Sequence, residues 1–436
     1  MIAHYLRSFK QDGESRQIVS WALYDWANSA YATVVIAGFF PIFFKQYWGA
    51  DLSAAESTYQ LGIANAVSSL VIMVFAPLLG AIADRGSARK KFLLFFALMG
   101  IVMSGGLFFI EQGEWALAAI IYVLASIGFM GGNLFYDSLI VQVAAEKKFD
   151  VVSALGYGLG YLGGGILFSA MVAMTLWPAV FGLNDASEAV RISFVCVALW
   201  WGLFSIPLWL FVKEPKADRN ESSWQIVCGG WRQLRQTLRE IRQLKVVMLF
   251  LLAYWLYIDG VDTIVRMAVD YGLSIGFDSN SLIVALLITQ FVGFPAAIVF
   301  GKLGQRYGAK TGIFIAIGVY IGITVWASMI EQEIEFYGLA IMIGLVQGGI
   351  QSLSRSLYAR LIPADKSAEF FGFYNMLGKF AAVAGPLMMG WIAVATDSHR
   401  LAVLSLLILF AAGAVLLWFV DEGHEKVSVS RIDAMK

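Results

Sequence analysis

Long apolar stretches dominate the chain. They recur at roughly 20–46, 58–83, 92–110, 115–141, 153–177, 191–212, 246–271, 279–301, 311–330, 336–358, 367–395 and 399–420, each long enough to cross a bilayer as a helix. The pattern predicts an all-α membrane protein of twelve transmembrane helices.

The loops between these stretches alternate in charge. One set is acidic or neutral: Asp51 and Glu56, Glu111 and Glu114, Asp185 and Glu188, Asp278, Glu331 with Glu333 and Glu335, and Asp397. The other set is basic: Arg85 with Arg89, Lys90 and Lys91; Lys147 and Lys148; Lys302, Arg306 and Lys310; Arg360 and Lys366. Arg7, Lys10 and Arg16 add to the basic set. The positive-inside rule predicts that these loops and both termini are cytoplasmic. The beginning of the chain has no signal-peptide cleavage pattern, so the first stretch reads as a retained helix.

The longest loop, 213–245, divides the chain into an N-terminal six-helix half, 1–212, and a C-terminal half, 246–436. Within it Trp224, Val227, Trp231, Leu234, Leu238 and Ile241 recur at helical spacing, with Arg232, Arg235, Arg239 and Arg242 on other faces. That predicts an amphipathic helix on the cytoplasmic membrane surface, as a tether or a regulatory element. The halves echo one another. Gly80 precedes Asp84-Arg85 after the second stretch, and Gly301 precedes Gln305-Arg306 after the eighth; Gly131-Gly132 before Asp137 is matched by Gly348-Gly349 before Arg355. Two related six-helix halves around a central cavity are a transporter plan.

Composition narrows the choice of function. The chain is 59% hydrophobic and 14% charged, and its 31 basic and 31 acidic residues cancel, which gives no support to nucleic-acid binding. Two cysteines make no disulfide framework or zinc spacing, and the three histidines, His4, His399 and His424, lie near the termini or at the edge of a stretch. No metal centre, cofactor or catalytic set is implied, so the chain is not expected to be an enzyme. Gly158, Gly160 and Gly163 match G-x-G-x-x-G, but no strand precedes them. Gly156, Gly160 and Gly164 read instead as a ridge for close helix packing.

Gly80, Asp84, Arg85 and Arg89 match the post-helix-two signature of the major facilitator superfamily, with Ser87 and Ala88 in place of the usual Gly and Arg. The second copy keeps Gly301, Arg306, Gly308 and Lys310. Tyr24 to Tyr31, Asp259-Gly260-Val261, Gln351 to Leu357, Phe370 to Tyr374 and Gly378-Lys379 resemble the branch of autophagy-related vacuolar amino-acid effluxers and their bacterial relatives. The resemblance implies a secondary transporter in two pseudo-symmetric halves, with amino acids as the best-attested substrate class.

Charged residues inside the apolar stretches are the candidate site, because an ion at bilayer depth must face protein or water. Asp25, Asp137 and Arg355 fall near one plane if helices one, four and ten line one cavity, as the resemblance implies. They are expected to form a cytoplasmic gate, a static ion pair or separate groups snorkelling to water, with Asp84, Arg85 and Arg306 holding the cytoplasmic helix ends. In the seventh stretch Asp259, Asp262, Arg266 and Asp270 share a stripe. Asp262 and Asp270 lie at i−4 and i+4 from Arg266 and are expected to pair with it. Asp259 is then expected to pair with Lys379 of the eleventh stretch. This set is the candidate for proton coupling or substrate charge, the alternative being an internal structural network.

Asn28, Asn133, Tyr136, Gln347, Gln351 and Asn375 are candidate substrate contacts, or interhelical hydrogen bonds. The chain is therefore expected to be a monomeric, proton-coupled transporter of a small polar solute in a bacterial inner membrane. Alternatives are an exporter of drug-like or siderophore-like compounds, or a membrane sensor or scaffold that does not transport.

Overall fold

The computed structural model describes residues 13–214, 229–234, 236–237, 244–274 and 279–421. Among them twelve helices are long and apolar enough to cross a membrane. They are α1 (Gly13–Trp48), α2 (Ala54–Arg85), α3 (Arg89–Gly106), α4 (Trp115–Ser138), α5 (Phe149–Leu176) and α6 (Ala186–Phe211). The second half holds α7 (Lys245–Ser274), α8 (Ser279–Tyr307), α9 (Ala309–Ala327), α10 (Glu333–Leu361), α11 (Ser367–Thr396) and α12 (Arg400–Trp418). No strand occurs among the described residues. A helix satisfies its own backbone inside lipid, which is why apolar runs of this length take no other form.

The bundle has two ends. One carries the basic loops and is called here the basic end; the other is the acidic end. The acids of the acidic end have a local task. Glu56 and Ser53 form a capping box at the start of α2, and Glu335 forms another with Gln332 at the start of α10. Asp185 accepts the Glu188 N–H at the start of α6. Each carboxylate meets unpaired N–H groups at the positive end of a helix dipole. The Glu56 carboxyl is held below the usual glutamate range by its hydrogen bonds to Ser53.

α1 is already helical at Gly13, ahead of the apolar run that starts near residue 20. Its outer part winds as a π-helix over Tyr31–Phe39 and again over Phe44–Trp48. Phe40 of this region stacks on Tyr122 at 3.9 Å, and Trp48 stacks on Phe194.

Helix α5 lies along α1 through the expected glycine ridge. A Cβ at Gly156 would sit 2.8 Å from Asp25 Oδ2, one at Gly160 2.5 Å from Ser29 Oγ, and one at Gly164 2.6 Å from Thr33 Oγ1. Three glycines one turn apart thus receive three polar residues one turn apart, a small-residue seam of the kind that lets membrane helices approach closely.

The halves meet along α2 against α11 and α5 against α8. At Gly80 a Cβ would fall 2.2 Å from the Ala368 carbonyl oxygen. At its counterpart Gly301 a Cβ would fall 2.4 Å from the Cβ of Ala154. The echo in the sequence is therefore an echo in packing.

Of the linker helix, residues 229–234 and 236–237 are described and are helical. Gly230 lies against Ile82 of α2, Trp231 is half exposed and Thr237 is buried. Trp224, Val227, Arg235, Leu238, Arg239, Ile241 and Arg242 lie outside the described residues.

Candidate functional site

A cavity of about 500 Å³ lies between the halves. Asp25, Asp137 and Arg355 line it toward the basic end; Tyr271, Leu282 and Phe336 line it toward the acidic end. Asn28, Asn133, Tyr136, Gln347, Gln351 and Asn375 all line it, as do Asp262 and Lys379. Several of the amides are already engaged. Asn28 donates to Asn133, Tyr161 donates to Gln351 at 3.2 Å, and Asn375 donates to the Phe371 carbonyl at 3.0 Å. Farther toward the acidic end, Gln290 of α8 donates to Thr33 of α1 at 2.7 Å.

Arg355 of α10 is the centre of the cavity floor. It is 1% exposed, so it must be both paired and hydrogen-bonded to be ionised there. Its Nη1 meets Asp137 Oδ1 at 3.0 Å and its Nη2 meets Asp25 Oδ2 at 3.6 Å. Nε donates to Ser153 Oγ at 2.8 Å and Nη2 to the Ser153 carbonyl at 2.9 Å. Tyr136 donates to Asp25 at 3.0 Å, and Asn375 Nδ2 lies 3.4 Å from Asp137 Oδ2. The rings of Tyr157, Trp21 and Tyr136 face the guanidinium at 4.3, 4.9 and 5.3 Å. A planar cation with five donors suits such a crowded box; a lysine would fill only part of it. The two carboxylates come from one half and the cation from the other.

Two further polar contacts flank this floor at the basic end. At the α2–α11 corner Asp84 accepts the N–H groups of Ala368 and Glu369 at 3.1 and 2.8 Å, and so caps the first turn of α11. Arg89 Nε meets Asp84 at 2.6 Å, while its Nη2 donates to the carbonyls of Ala364 and Asp365. Glu369 is itself buried and accepts from Gln233 of the linker at 2.8 Å. At the α5–α8 corner Asp150 of α5 accepts from Ser356 at 2.5 Å and pairs with Arg360 at 2.6 Å, both on α10.

A family model described as "Vacuole effluxer Atg22 like" matches residues 56–430. The chain belongs to that family. The Atg22-like chain is 42% identical over 410 residues to the MFS-type transporter YxiO of Bacillus subtilis, covering 94% of this chain and 95% of the relative. It is 24% identical to autophagy-related protein 22 of Coccidioides immitis, over 94% of this chain and 87% of that one. Among solved structures, the human organic anion transporter MFSD10 matches with a TM-score of 0.73 at 16% identity, covering 93% and 100% of the two chains. The proton:xylose symporter XylE matches with a TM-score of 0.68 at 13% identity, covering 96% of each chain. The fold is thus the major facilitator fold of two pseudo-symmetric six-helix halves. The protein is an integral multi-pass membrane protein and a secondary transporter, in a family of transporters and not of enzymes.

Several sequence expectations for this Atg22-like chain change on contact with the structure. Asp259 does not pair with Lys379. It is 1% exposed, it is not among the cavity residues, and its Oδ1 accepts the Gly385 N–H at 2.9 Å and Thr263 Oγ1 at 3.5 Å. Asp262 and Lys379 do face the cavity. The side chains of Arg266 and Asp270 lie outside the described residues. Arg85, expected with Asp84 to hold the helix ends, lies against the linker, where a Cβ on Gly229 would fall 2.3 Å from its Cζ. The chain reverses at Ser87, with φ 43°, and brings Arg89 back over Asp84. Arg306 is exposed and packs 5.2 Å from the ring of its neighbour Tyr307. The acid that serves its corner is Asp150, with Arg360; their place at the first turn of α5 and the last turn of α10 was the available signal.

Proposed function

We propose that this protein moves a small zwitterionic solute, an amino acid, by alternating access driven by protons. The observation that carries this is the Arg355 cluster, an ion set shared between the two halves at the floor of a central cavity. Above it the cavity presents both signs of charge, Asp262 and Lys379. Asp262 suits a substrate ammonium or a transported proton, and Lys379 suits a substrate carboxylate. The resemblance to vacuolar amino-acid effluxers supports amino acids as the class.

In this reading the moving bodies are 1–212 and 246–436, joined by 213–245. Opening the basic end parts Arg355 from Asp25 and Asp137, Arg360 from Asp150, and Asp84 from α11. The substrate's own contacts supply the differential free energy that shifts the halves. The charge pattern of the loops supports a cytoplasmic basic end and cytoplasmic termini. A bacterial inner membrane and a monomeric transporter complete the reading.

The test is uptake of each of the twenty amino acids, radiolabelled, into proteoliposomes with and without an imposed pH gradient. The expected result is gradient-stimulated movement of a subset, with Asp262→Asn still able to exchange substrate but blind to the gradient. If no amino acid moves while the reconstituted protein is folded, the substrate class is wrong. Organic anions or drug-like compounds then become the next to test. Gradient-driven transport by Asp262→Asn at the parent's rate would remove the coupling role.

A further inference from the structure

Asp259 and Asp262 are three positions apart on α7, which turns their side chains about 60° from one another around the helix. Asp262 reaches the cavity, and Asp259 turns to α11. Its target there is a backbone group, the N–H of Gly385. The next residue is Pro386, inside α11. A proline within a helix has no N–H, and its ring strikes the carbonyl one turn earlier, so the hydrogen-bond ladder is interrupted and the helix bends. The proline leaves the carbonyl one turn earlier without its donor, and beside this break the buried Gly385 N–H is directed at an acceptor on another helix. Asp259 Oδ1 supplies that acceptor.

The joint is tight. A Cβ at Gly385 would lie 2.0 Å from Thr263 Oγ1 and 2.8 Å from Asp259 Oδ1. Only a glycine lets α11 come this close to α7. The joint also lies between two cavity-lining parts of α11: Asn375, Gly378 and Lys379 toward the basic end, and Met389 toward the acidic end. The charged groups around it are few. Asp262 is on the same helix and Lys379 is on α11. Arg355 of α10 is committed to Asp25 and Asp137. α12, which packs on α7 through Phe410 and Gly413, has no charged residue between Leu406 and Trp418.

We propose that Asp259 is a positioning residue. It anchors the bend of α11 at Gly385–Pro386 to α7 and thereby sets how Lys379 and Met389 are presented to the cavity. The role requires an acceptor oxygen at this place, not a proton carrier.

The test uses a full-length protein with Cys196 and Cys228 replaced by serine and a reporter Met389→Cys. A membrane-impermeant methanethiosulfonate reagent reads the orientation of α11 through its rate of reaction, and no substrate is needed. A failure of the amino-acid assignment therefore leaves this result intact. Asp259→Ala is expected to change the labelling rate several-fold. Asp259→Asn, which keeps an oxygen for the Gly385 N–H, is expected to label at the parent's rate and to keep the parent's pH profile wherever transport is measurable. Gly385→Ala, which forces the helices apart, is expected to resemble Asp259→Ala, and Thr263→Ala added to it to restore the parent's rate in part. Should Asp259→Ala misfold, the Gly385 pair carries the same comparison. The proposal is overturned if Asp259→Asn alters labelling or the pH profile as much as Asp259→Ala does. It is equally overturned if Gly385→Ala labels like the parent.

Discussion

Arg360 of α10 and Asp150 of α5 meet at 2.6 Å across the two halves, and Ser356 donates to the same carboxylate. Asp150 has almost no solvent exposure, so the pair is a desolvated tie rather than a surface ion pair. With Arg355 and Asp84 it places three polar ties at the basic end, on both sides of the cavity floor.

Arg360→Ala should loosen that end. Ser138 lies at the same end, fully buried, with its carbonyl accepting from Ser367 of the other half. In a background free of Cys196 and Cys228, Ser138→Cys is expected to alkylate several-fold faster from the basic side once Arg360 is removed. Arg360→Lys should fall between the two. An unchanged rate would show that the pair does not hold the halves together.

Arg355→Ala should be the most destabilising change in the cavity, because it leaves Asp25 and Asp137 buried without their cation. The expected loss is about 3–5 kcal/mol, read as a lowered Tm by intrinsic fluorescence of the purified protein. Removing all three charges together, Asp25→Asn with Asp137→Asn and Arg355→Met, should recover much of that loss while abolishing transport. A triple variant no more stable than Arg355→Ala would mean the aromatic box, not the ion set, holds the floor.

Ser87 stands where the superfamily signature has glycine, and its φ of 43° is in the left-handed region. A side chain there costs roughly 1–2 kcal/mol, and glycine carries no such penalty. Ser87→Gly is therefore expected to raise Tm, and Ser87→Val to lower it. Equal Tm values for the two would show that the turn adapts to either residue.

The spans and the Arg355 cluster were legible in the sequence for a simple reason. Apolar length is a property of one segment, and an ion inside such a segment can satisfy itself only in a shared cavity. Partner choice was not legible, because it depends on which neighbour lies beside each face. The 60° between Asp259 and Asp262 looked like one stripe on α7, yet α11 takes one residue and the cavity takes the other. Likewise Asp84 pairs with Arg89 because the left-handed turn at Ser87 brings that residue back over it. Asp150 and Arg360 were read only as loop-edge residues or not at all, since neither sits deep in an apolar run. Their role comes from the crossing of α5 and α10, which no single segment encodes.

The seam between α5 and α1 has a mechanical meaning. Gly156, Gly160 and Gly164 offer no rotamers, so nothing on the α5 side can repack to absorb a displacement. Asp25, Ser29 and Thr33 are held against bare backbone. A push delivered to Asp25 at the cavity floor is therefore transmitted along α1 with little compliance, as far as the Thr33–Gln290 contact on the other half. The glycine ridge makes α1 and α5 a stiff rod connecting two places where the halves touch.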